Sequence, residues 1–222
     1  MLALGEPLAA ALAWLEAHPV ESPDGPRAVW HGRLAGSSVF VTERGRCRLL
    51  TPVRCLAREF RGGLFSLQDL QRLEEARDDA PYGAPTWAAG VWGDLWCLGL
   101  LLWEAATGGA LFAELPDTER FEARRTREPP PASSIEPQVT PALDACLAGL
   151  LSHDHARRFP SAAAAHEALA TARAVFEGPC DEAALAAVVA VLGAGEDGAL
   201  ALAGDGRDGT GEAVALRVTE TS

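Results

Sequence analysis

A mainly α-helical domain with small β elements is predicted by three features of the sequence. Apolar residues recur at helical spacing through most of the chain. Residues 91–106 are apolar on all sides, as in a helix running through the middle of a domain. The β-forming stretches are few and short, and all but one of them lie before residue 51.

Each element follows from local chemistry. Leu8, Leu12 and Leu15 share one helical face, so a helix is expected over residues 6–17, ended by Pro19. The Pro/Gly/Asp-rich stretch from Ser22 to Pro26 reads as a turn. Short strands are expected at 28–30, 39–42 and 47–50, with Arg44-Gly45 as the hairpin turn between the last two. Leu64, Leu67, Leu70 and Leu73 again space helically, and Tyr82 to Pro85 is a turn. Further helices are expected at 116–126, 141–151, 161–176 and 181–192, with a proline-rich loop at 129–131. Val214 to Val218 has the composition of a strand. The organisation expected is a domain over 1–176, followed by an acidic, Ala/Gly-rich extension over 177–222 that holds a helix and a β hairpin.

All 19 basic side chains are arginine, and the chain has neither lysine nor asparagine. The formal net charge of −12 disfavours a nucleic-acid partner. From Phe176 onward nine acids face two arginines, so the extension carries −7 of that charge. Cys47, Cys55, Cys97, Cys146 and Cys180 are scattered and form no CxxC pair, which fits free thiols in a reducing, cytoplasmic compartment. The first residues lack a basic region and carry Glu6 and Glu16, unlike a secretory signal. The longest apolar run, Leu95 to Trp103, is far short of a bilayer span, so no membrane association is expected.

The stretch Val29 to Leu50, VWHGRLAGSSVFVTERGRCRLL, resembles the catalytic loop and following hairpin of a bacterial eukaryotic-type serine/threonine protein kinase. That family has HRDLKPxN, two short strands and DFG. Three further pieces follow in family order: YGAPTWA from Tyr82, GDLWCLGLLLWEAATGGALF from Gly93, and LLSHDHARRFPSAAAAHEAL from Leu150. The resemblance they carry extends over residues 8–172. The resemblance implies a kinase-like large lobe with a short hairpin and no small lobe.

The departures fall on the chemistry. The catalytic aspartate position is Arg33, the lysine is Ala35, the metal-binding asparagine is Ser38, and the DFG aspartate is Thr51. Arg33 has no acceptor atom and cannot orient a substrate hydroxyl. Magnesium needs hard oxygen ligands, and Ser38 and Thr51 offer neutral hydroxyls. His31 keeps its place as a packing residue of the loop. Asp94 is expected to cap the apolar helix and, by the resemblance, to bind the loop backbone. Arg158 matches the arginine that in the family pairs with a glutamate, here Thr86; its plain alternative is a solvated surface arginine.

The expectation is a non-catalytic, pseudokinase-like domain that works through a protein partner or a small lobe supplied in trans, with no cofactor or metal. The alternatives are a divergent or truncated serine/threonine kinase that retains ATP and magnesium, and a fragment without function. His153, His155 and His166 lack a completing acid or cysteine at metal-ligand spacing. Arg120, Arg124, Arg125 and Arg127 read as a solvated helix face. The GxGxxG at Gly204 to Gly209 reads as a hairpin loop, since a strand rather than a helix follows it. If the chain folds alone, the surface around Leu34, Phe40 and Leu50 would be bare. The helix Ala183 to Leu192 is the expected cover.

Overall fold

The computed structural model describes residues 1–22, 25–27, 29–32, 34–49, 91–178, 180–193, 203–204 and 212–215. Within them the chain is mainly helical. The helices are α1 (Leu2–Ala17), α2 (Val91–Thr107), α3 (Asp117–Thr126), α4 (Pro141–Leu151), α5 (Ala162–Ala174) and α6 (Glu182–Gly193). The strands are β1 (Val20–Ser22), β2 (Gly25–Arg27), β3 (Val39–Thr42), β4 (Cys47–Leu49), β5 (Ala203–Gly204) and β6 (Glu212–Ala215). No helix among the described residues is long and apolar enough to cross a membrane.

α2 is the centre of the core. Leu95, Trp96, Leu98, Leu100 and Leu102 are buried along it, and α1 and α4 pack on it. Gly99 makes the α4 contact possible: a Cβ there would sit 2.7 Å from Leu150 Cβ and 2.9 Å from Leu151 Cγ. α1 lies along α5 and is tied at both ends. Glu16 Oε2 accepts the Ala162 N–H at 2.8 Å at the start of α5, and Glu6 pairs with Arg173 at its end. Helix starts follow capping chemistry. Thr140 Oγ1 accepts the Leu143 N–H ahead of Pro141, and Ser161 Oγ accepts the Ala164 N–H.

β3 is an inner strand of a four-stranded antiparallel sheet of order β4-β3-β6-β5. Its register pairs Val39 with Leu49 on one side and Phe40 with Ala215 on the other. Val39 and Val41 face the core while Phe40 and Thr42 are half-buried, the alternation a strand imposes. The turn into β4 is closed by Gly45 N–H on Thr42 O at 2.8 Å, with Gly45 at φ 77°.

Several expectations are corrected. α1 begins at Leu2 and runs through Pro7 rather than starting at residue 6. The strand expected at 28–30 is not seen at Val29 and Trp30; strand pairing lies earlier, with β1 and β2 pairing Val20 with Arg27 and Ser22 with Gly25, so Gly25 and Pro26 of the expected turn belong to a strand. The strand expected from Val214 is present but starts earlier, at Glu212, and is described to Ala215, where it pairs with β3. The helix and turn expected between residues 54 and 85 lie outside the described residues.

The surface expected to be bare is largely closed. Leu34 is buried with Val39 and Val41, and Phe40 is half-buried. α6 packs on β3 and α1, with Val189 in the core and Leu185 against it. Leu50 lies outside the described residues.

Candidate functional site

The loop from Val29 to Ser38 leads into β3, and its anchor is α2. Asp94, in the first turn of α2 and buried, accepts two backbone N–H groups: His31 N to Oδ2 at 2.5 Å and Gly32 N to Oδ1 at 2.7 Å. Both carboxylate oxygens are thus engaged outside the helix. The capping role is corrected: α2 already begins at Val91, and the Asp94 side chain holds the loop instead. Burial pushes the Asp94 carboxyl up to about 7, against the pull of the two N–H donors.

His31 is buried in this loop. Ala35 and Ser38 come together in a 3₁₀ turn, Gly36–Ser38. The Ser38 hydroxyl donates to Ala35 O at 2.7 Å and accepts the Ala35 N–H at 3.0 Å. Arg33 and Thr51 lie outside the described residues. The cysteines near these elements are poor nucleophiles. Burial pushes the Cys47 thiol up to about 12 and the Cys97 thiol higher still, the latter with help from the Asp94 charge. Among the described residues no group of three or more His, Cys, Asp and Glu side chains could hold a metal ion.

The second cluster lies where α2, α3 and the loop after α4 meet. Arg158 is 5% exposed, so it is no solvated surface arginine. Its Nε donates to Ser152 O at 2.5 Å, and its guanidinium sits 5.5 Å above the Trp96 ring. Trp96 in turn meets His153 edge-on at 5.2 Å, and His153 Nε2–H donates to Arg124 O at 3.0 Å. The expected basic face on α3 is also corrected. Arg124 is buried and pairs with Glu104, and Arg120 donates to Phe112 O and Leu115 O. Arg127 is exposed. No periodicity marks Arg124 as internal, because its partner lies on another helix.

Of the tryptophans between residues 87 and 103, Trp96 and Trp103 are buried, Trp92 is 40% exposed, and Trp87 lies outside the described residues. His166 stands 4.0 Å from Glu6, and His153 3.7 Å from Glu128. The chain matches no family model and no curated protein.

Proposed function

We propose that this chain is a non-catalytic, pseudokinase-like domain that acts by binding a protein partner. The observation that carries this reading is the tie from Asp94 to the backbone of His31 and Gly32. A buried carboxylate holds a loop in fixed form, and the residue following Gly32 in that loop is Arg33. At the position where phosphoryl transfer would need a proton acceptor, the chain carries a permanent cation. Ser38, at the position of a metal ligand, has its hydroxyl engaged by Ala35. A loop without acid or amide side chains, anchored at His31 and Gly32, suits recognition rather than reaction.

Thermal unfolding with ATP and magnesium tests this. The expected result is no magnesium-dependent rise in melting temperature. A ligand at 100 times its dissociation constant would add about 2.7 kcal/mol of stability, so binding is easily seen. A clear magnesium-dependent rise would replace the proposal with a divergent kinase that keeps its nucleotide.

A further inference from the structure

We infer that the buried Arg158–Trp96 pair is a binding site for a small oxyanion, a carboxylate or phosphate gripped by the Arg158 guanidinium. Arg158 Nη1 and Nη2 and Trp96 Nε1 are buried atoms with no hydrogen-bond partner. All three are donors. Arg158 already uses Nε on Ser152 O, so what the guanidinium leaves unmatched is its two terminal NH2 groups. Among the described residues no carboxylate pairs with Arg158. Glu104 is taken by Arg124, Asp154 stands 3.9 Å from Arg157, and Glu128 stands 3.7 Å from His153.

Buried polar groups are almost always satisfied, and a buried charge without a counter-charge is costly. The Trp96 face supplies part of the compensation through a cation–π contact. It leaves the N–H groups themselves unmatched. The planar fork of an arginine fits the paired oxygens of a carboxylate or phosphate. His153 packs edge-on against Trp96 with a partly exposed side chain, so it is the ring that stands between the pair and solvent. The site stands whether or not the loop near Asp94 binds nucleotide.

The test is thermal unfolding of the full chain in sodium phosphate, sodium acetate and sodium chloride at matched pH and ionic strength. Wild type is expected to show a saturable rise in the low millimolar range with phosphate or acetate, and none with chloride. A response to phosphate alone assigns a phosphate ligand; a response to acetate as well assigns carboxylates, including an acidic side chain. Arg158→Met should abolish the saturable rise while keeping any general salting effect, which does not saturate at these concentrations. If that variant does not fold, Arg158→Lys, which loses the fork but keeps the charge, should weaken it at least tenfold. No saturable rise in wild type, or an equal rise in the variants, overturns the site.

Discussion

Arg124 Nη2 donates to Glu104 Oε1 across 2.9 Å, joining α3 to α2 through side chains only 6% and 9% exposed. Glu104 also accepts the Leu111 N–H, so one carboxylate fixes a helix and the turn after α2. Removing one partner of a buried pair takes away the other's counter-charge, at a cost of up to about 3–5 kcal/mol. Glu104→Ala is therefore expected to lower stability, by no more than that, in urea titration. Glu104→Ala with Arg124→Met should recover most of it. Equal losses in the single and double variants would show that the pair itself contributes little.

Asp94 gives a pH dependence of definite sign. Its carboxyl titrates at about 7 in the fold and at an ordinary low value when unfolded, so between those values the folded chain holds the extra proton. Its contribution to stability is fully present below about pH 4 and is lost as pH rises through about 7, by up to about 1.4 kcal/mol per pH unit. Asp94→Asn cannot titrate and should show a shallower fall over this window. Urea midpoints of both proteins from pH 4.5 to 7.5 check this. Parallel profiles would mean that the two backbone N–H donors keep Asp94 ionised throughout.

What the sequence discloses here tracks how local each cause is. Thr140-Pro141 and Ser161 announce helix starts through their own side chains, and the helices begin there. Val39 to Thr42 with Arg44-Gly45 announces a hairpin in the same way. The start of α1 is not announced in this way: the helix begins at Leu2 and takes Pro7 inside it, ahead of the start expected at residue 6. Arg124 misleads more. Its burial depends on Glu104, which is brought close only by packing. The position of Asp94 is legible from the sequence, but its detachment from capping is not, since that depends on where α2 begins.

Gly45 is expected to be intolerant of a side chain. It has φ 77°, and an added Cβ would fall 1.7 Å from the Glu182 carbonyl oxygen at the start of α6. Gly108 is a control, with φ 73° and open space around it. Gly108→Ala should incur only the backbone strain, on the order of 1 kcal/mol. Gly45→Ala should cost more and should speed amide exchange in α6 by at least tenfold, because the helix must lift away. Equal costs for the two variants would mean that α6 adjusts without leaving the turn.

The extension closes the hairpin through three contacts. α6 rests on β3 and α1, β6 pairs along β3, and Arg46 stands 3.7 Å from Glu182. The ion pair contributes little, since both side chains are well exposed. The strand pairing and the burial of Val189 matter more. Ending the chain at Gly178 frees the β3 edge and uncovers apolar surface beside Val41. The truncated chain is expected to self-associate in light scattering at concentrations where the full chain does not, and to lose about 1.5–3 kcal/mol from Val189 alone, the scale for uncovering one apolar side chain. A truncated chain that stays monodisperse and equally stable would show that the core needs no cover on this face.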